Sequence, residues 1–265
     1  MSTCLANGVS LFYELAGTGE RLLSISGTGG DLRQKPGLAE GPLGRAFEVL
    51  SYDQRGLGRS SVPAWPYAMA DFAADAAALL DALGWDDCLV IGLSFGGMVA
   101  QELAIRYPER VRRLVLACTS SGGAGGASFP LHELASLPPE ERVTRQIGLL
   151  DTRWDAAWRR DHPEMVALMA GRMPARAGEP PEGLTNQLAA RAQHDTTDRL
   201  GRIACPTLVC GGRFDGIAPP ANSAQLADRI PGAQLALFDG GHGFFLQDRT
   251  AWPAIVAFLG EGAAA

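Results

Sequence analysis

The chain has a single lysine, Lys35, and Pro36 follows it. A phosphate-cradling Gly-Lys-Ser/Thr loop is thereby excluded, and a Schiff-base enzyme, which needs a buried lysine, is disfavoured. No apolar run approaches the ~18 residues of a membrane span. The stretch from Met1 to Asn7 has neither a charged n-region nor an apolar h-region, so no export signal is expected. Cysteines are few, odd in number and irregularly spaced: Cys4, Cys88, Cys118, Cys205 and Cys210. None forms a C-x-x-C pair, so reduced thiols and a cytoplasmic location are expected rather than a disulfide framework. No His/Cys/Asp/Glu group has the spacing of a metal site, and no cofactor fingerprint is complete. Gly56-x-Gly58 is followed by Ser61 and Pro63 where a dinucleotide-binding helix would have to run. Positive charge is in deficit, with 23 Lys and Arg against 29 Asp and Glu, a net charge of −6. That argues against nucleic-acid or anionic-membrane partners. The expected partner is a small neutral or weakly charged substrate, with no cofactor and no metal; self-association is left open.

What the chain does have is 265 residues, 46% of them hydrophobic, and 33 glycines. That length suits one large domain or two small ones, with enough chain for a full core. Asn7-Gly8 is a two-residue hairpin signal. Short apolar runs then alternate with helical segments. Leu22–Ile25, Phe47–Tyr52, Cys88–Ile91 and Val111–Ala117 read as strands, and residues 71–83 and 98–106 as helices. The rhythm returns with strands at 207–210 and 234–238 and helices at 220–230 and 253–259. Strands alternating with helices imply an open α/β sheet, mostly parallel and covered on both faces. Between the two halves the rhythm stops. Residues 119–128 are Gly/Ser-rich and read as flexible, and residues 129 to about 200 read as helical with no strand. We take residues 1–120 and 197–265 as the core and 121–196 as an inserted helical cap.

The strongest local signal is Gly92-Leu93-Ser94-Phe95-Gly96-Gly97, a G-x-S-x-G motif between a strand and a helix. A turn that tight strains the serine backbone, and the glycines remove Cβ atoms that would collide. A serine hydroxyl needs a base. His132, His162 and His194 lie in polar stretches of the insertion and read as solvated. His242, in Gly240-Gly241-His242-Gly243 after a strand, is the candidate. Asp215, also just after a strand, is the candidate acid; Asp239 lies too near His242 in the chain, and Asp248 reads as a helix cap. The order Ser94, Asp215, His242 is that of the α/β-hydrolase fold. The expected oxyanion donors are the backbone N–H groups of Phe95 and Thr28, with Gly29 as the alternative to Thr28.

These motifs, together with Asp53-Gln54-Arg55-Gly56 and Gln101-Glu102, resemble the α/β-hydrolase superfamily over about residues 10–258, loosely the 3-oxoadipate enol-lactonase-like members. The resemblance implies an eight-stranded, mostly parallel sheet with a cap, and a cofactor-free serine hydrolase of small esters or lactones. It also implies that Asp53 and Arg55 are structural. Many relatives carry His-Gly where this chain has Ser26-Gly27. The same residues would also serve C–C bond or thioester cleavage, acyl transfer or perhydrolysis, and a small-molecule binding protein on this scaffold is a further alternative. Gly29, Trp154 and Trp158 are candidate pocket residues, the two tryptophans placed four apart on a cap helix. A basic residue of the cap in the pocket, such as Arg145, Arg172 or Arg176, would point to a carboxylate-bearing substrate.

Overall fold

In the computed structural model, residues 2–172 and 181–261 are described. Asn7 and Gly8, at φ 49° and 74°, turn the chain between β1 (Ser2–Ala6) and β2 (Val9–Ala16). Two consecutive positive φ angles give a turn whose twist matches an antiparallel hairpin. The sheet continues with β3 (Arg21–Ile25), β4 (Glu48–Tyr52), β5 (Cys88–Leu93), β6 (Val111–Ala117), β7 (Thr207–Gly212) and β8 (Gln234–Phe238). Its order is β1-β2-β4-β3-β5-β6-β7-β8. The β1–β2 and β2–β4 pairs are antiparallel and the rest are parallel.

The central strands are apolar throughout because both faces are covered. Along β5, Cys88 and Val90 enter one core while Leu89, Ile91 and Leu93 enter the other, as the two-residue period of a strand requires. Helices α1 (Pro42–Ala46), α2 (Met69–Ala82) and α3 (Phe95–Arg106) belong to the first half. Four helices follow β6: α4 (Pro139–Leu150), α5 (Ala156–Asp161), α6 (Pro163–Arg172) and α7 (Glu182–Ala192). The second half adds α8 (Pro220–Arg229), α9 (Phe244–Gln247) and α10 (Ala251–Gly260). Phe72, Val99 and Leu226 pack α2, α3 and α8 on one face. Leu43, Phe244 and Ile255 pack α1, α9 and α10 on the other.

Between β6 and β7 the described residues hold no strand, only an isolated antiparallel bridge between Gly122 and Asp195. Thr196 N–H donates to the Ser121 carbonyl at 2.9 Å beside it. The two ends of the insertion are thus paired where they leave the sheet. The Thr119–Ser121 stretch is buried, against the expectation of a flexible linker. The Thr119 hydroxyl donates to the Ser94 carbonyl at 2.7 Å, and Gln101 Nε2 donates to the Ser120 carbonyl at 3.0 Å. The short helix α9 carries no periodic pattern that could have announced it. Trp154 precedes α5 rather than lying on it, because Asp155 caps that helix through Oδ1, which accepts from Trp158 N–H at 2.8 Å.

Candidate active site

β5 ends at Leu93 and α3 begins at Phe95, so a single residue makes the turn. Ser94 makes it at φ 53° and ψ −113°. Such a conformation costs about 1–3 kcal/mol in a non-glycine residue and persists only when its surroundings over-determine it. They do so here. Ser94 N–H donates to the Ala117 carbonyl at 2.8 Å, and the Ser94 carbonyl accepts from Gly97 N–H at 2.9 Å and from Thr119 Oγ1. A Cβ on Gly92 would collide with the Gly96 carbonyl, and one on Gly96 with the carbonyls of Ile25 and Ser26. Glycine at both positions is therefore a requirement of the close approach of three backbone segments.

Asp215 and His242 follow β7 and β8, on neighbouring strands. His242 Nδ1 lies 2.8 Å from Asp215 Oδ2, and Nε2 lies 3.1 Å from Ser94 Oγ. Asp215 is buried, and its Oδ1 accepts from the N–H groups of Ile217 and Ala218 at 2.8 and 2.9 Å. A carboxylate only accepts, so Nδ1 of the neutral imidazole carries the proton and Nε2 is left to accept from the Ser94 hydroxyl. Ser94, His242 and Asp215 are thus brought together in a chain that can move a proton from serine to imidazole.

The cap reaches down to hold both loops. Leu149 O accepts from Gly216 N–H at 3.0 Å, and Leu150 O accepts from His242 N–H at 2.6 Å. Thr152 N–H donates to the Phe214 carbonyl at 2.9 Å. Asp151, fully buried, accepts from Arg153 and from Gln247 Nε2, and Gln247 Oε1 accepts from Gly241 N–H at 2.7 Å. Burial alone would push the Asp151 carboxyl up, but the Arg153 and Gln247 hydrogen bonds outweigh it and hold it below its ordinary value.

The 26–30 loop passes close over the serine. A Cβ on Gly27 would stand 3.5 Å from Ser94 Cβ. Phe95 N–H opens α3, where the first N–H groups have no helical partner. Neither it nor Thr28 N–H donates a hydrogen bond among the described residues. Gly29 N–H is engaged: it donates to Gln187 Oε1 of α7 at 2.8 Å. Gln54 Nε2 donates to the Ser26 carbonyl at 2.8 Å from below.

Other residues stand apart from this centre. Asp53 is fully buried and accepts from Leu32 and Arg59 N–H, bracing the loop after β4. Burial pushes its carboxyl up against those two bonds. Arg55 binds Asp75 with two hydrogen bonds, at 2.7 and 2.6 Å. Trp154 and Trp158 stack at 5.3 Å on one another in the cap, and no ring contact or hydrogen bond among the described residues links them to Ser94. Arg145 is exposed and lies over the Phe129 ring. Arg176 and the Arg172 side chain lie outside the described residues. Sequence reading had not singled out Asp151, Gln187 or Arg191, whose contacts with this region span long separations and leave no local motif. No group of three or more metal-ligating side chains lies together among the described residues, and no helix among them is long and apolar enough to cross a membrane.

A family model described as alpha/beta hydrolase fold matches residues 20–248. The chain is 37% identical over 216 residues to a poly(3-hydroxyalkanoate) depolymerase of Ectopseudomonas oleovorans, covering 80% of this chain and 75% of that one. It is 31% identical over 197 residues to 3-oxoadipate enol-lactonase 2 of Acinetobacter baylyi, covering 74% and 72%. In three dimensions it resembles the enol-lactonase of Burkholderia xenovorans LB400, with a TM-score of 0.80, 24% identity and coverage of 98% and 100%. At that identity the likeness speaks for the fold alone.

Proposed function

The chain belongs to the alpha/beta hydrolase family and is a hydrolase, and from that premise we propose that it cleaves small carboxylic esters or lactones through Ser94, His242 and Asp215. The observation that carries this reading is the unbroken pair of contacts Ser94 Oγ to His242 Nε2 to Asp215. In the proposed reaction the Ser94 hydroxyl gives its proton to His242 Nε2 as Oγ bonds to the substrate carbonyl carbon. Asp215 stabilises the imidazolium. The carbonyl oxygen, now an anion, takes hydrogen bonds from Phe95 and Thr28 N–H. The C–O bond to the leaving group breaks, and that oxygen collects the proton from His242. Water then repeats the sequence on the acyl-serine, giving its proton to His242 and releasing the acid.

A polyhydroxyalkanoate and an enol-lactone, named for the two relatives, both present an ester carbonyl to such a centre. Thr28 is favoured over Gly29 as second donor because Gly29 N–H is already held by Gln187. Initial rates on a panel of p-nitrophenyl esters and lactones test the proposal. Ser94→Ala should lower kcat by about 10^4-fold or more. A Ser94→Ala protein that kept its rate would sink the mechanism. Labelling of wild type by a fluorophosphonate, absent in Ser94→Ala, separates a working nucleophile from a binding protein on the same scaffold.

A further inference from the structure

Gln187 and Arg191 lie four residues apart on α7 and so share a face, about 6 Å apart along its axis. Gln187 is fully buried, and its Oε1 accepts from Gly29 N–H in the loop over Ser94. With Oε1 as the acceptor, the other end of the amide is its NH2, and this buried Nε2 has no partner among the described residues. Arg191 is 6% exposed. Its Nη2 donates to Ser128 Oγ at 2.6 Å and to the Phe129 carbonyl at 2.8 Å, while its buried Nε has no partner among the described residues. Phe129 N–H donates to the Ile217 carbonyl at 2.7 Å, and Ile217 N–H donates to Asp215 Oδ1. The α7 face is therefore tied on one side to the 26–30 loop, which passes close to Ser94, and on the other to the acid loop.

Among the described residues no carboxylate forms an ion pair with Arg191. The other buried arginine differs: Arg55 holds Asp75, and the half-buried Arg199 holds Glu102. Burial drives the Arg191 guanidinium down to about 10, with no neighbouring acid raising it. A buried cation among neutral acceptors carries a desolvation cost that they offset only in part, and an anion is the missing complement. A guanidinium matches a carboxylate with two parallel N–H donors, and an amide NH2 one turn away adds a third.

We propose that Gln187 and Arg191 form a subsite for a carboxylate carried by the substrate, so that the ester or lactone cleaved at Ser94 bears its own anionic group. This sharpens the hydrolase reading and rests on it for turnover, though not for binding. The net charge of −6 over the whole chain is no obstacle, because the subsite is buried and its local charge is positive.

The test uses monomethyl esters of dicarboxylic acids, from succinate to suberate, against the matching dimethyl esters. Binding is measured by calorimetry on full-length Ser94→Ala protein, and turnover on the protein with Ser94 intact. The half-ester of at least one length should bind about tenfold or more tighter than its diester and show the same ratio in kcat/KM, carried mainly by KM. Arg191→Met should bring the two esters to within about threefold of each other, and Arg191→Lys should restore part of the preference. Gln187→Leu, measured beside it, should erode the preference if Arg191→Met fails to fold. Equal or tighter binding of the diester at every length overturns the subsite, as does an Arg191→Met protein that keeps the preference. A drop in melting temperature with both esters weakened equally would make Arg191 a clamp on residues 128–129 and overturn the subsite too. Arg191-dependent binding of the half-ester with no turnover would keep the subsite and remove the hydrolase reading. Equal turnover of both esters would do the reverse.

Discussion

His194 differs from His242 in what surrounds it, though both are imidazoles near one sheet. His242 has a carboxylate on one nitrogen and a hydroxyl on the other. His194 is 4% exposed, and the one polar backbone group that favours its charged form, at Ser120, does not offset its burial. It lines a cavity of about 180 Å³ with Glu102, Arg106 and Arg199, whose charges are already paired with one another. Burial drives the His194 pKa down to about 4. Its folded value lies below its unfolded value near 6.5, so the folded protein binds fewer protons in that window. Stability is therefore complete above about pH 6.5 and falls as pH drops toward 4. Between about pH 7 and about pH 5 this one group should remove about 2 kcal/mol. Urea unfolding of wild type and His194→Gln at the two pH values checks it: the variant should lose correspondingly less stability on acidification. A sequence reading that placed His194 on a solvated surface missed this. The polar neighbours Gln193 and Asp195 concealed a side chain that turns inward, and only the fold reveals the direction.

Among elements, the segment from Leu149 to Arg153 at the end of α4 has the widest reach. It holds the acid loop through Gly216 and Phe214, and the base loop through His242 and, by way of Gln247, Gly241. Asp151→Ala should therefore slow catalysis without touching a reacting atom. Misplacing His242 by a fraction of an ångström should cost about tenfold to a hundredfold in kcat, read as a slower fluorophosphonate labelling rate together with a slower ester rate. Unaltered labelling with slow turnover would place the defect elsewhere. Such a role is invisible along the chain. Ser94, Asp215 and His242 were legible because each sits in the loop that follows a strand, with glycine around it or close by, so that local pattern and position agree. Asp151, Gln187 and Arg191 reach the same region only after separate helices pack over the sheet, and no short spacing encodes that meeting. The strands were legible for the same local reason: apolar runs bounded by Gly, Pro and Asp stand out where both sheet faces are buried. Trp154 and Trp158 show the opposite case, a conspicuous pair whose ring contacts are with one another and with His162.

At the scale of the molecule, β6 pairs with β7 in register, Leu114 opposite Thr207 through Ala117 opposite Cys210, across the whole insertion. The core is therefore continuous beneath the cap. Replacing residues 123–194 by a short Gly-Ser linker joins two ends that already pair at Gly122 and Asp195. The resulting protein should keep the sheet signal in far-ultraviolet circular dichroism, yet lose at least about a hundredfold in ester turnover, because the carbonyls of Leu149 and Leu150 go with the cap. Loss of the sheet signal would show that the cap supports the core itself. The paired ends have a consequence for inheritance. The entropy of closing a loop grows only with the logarithm of its length, so doubling the insertion costs about 0.6 kcal/mol. Lineages can lengthen, shorten or rebuild most of the excursion between Gly122 and Asp195 at almost no thermodynamic penalty. They are held to the atoms that touch the 26–30 loop and the loops of Asp215 and His242, so the substrate of such a protein can drift faster than its chemistry.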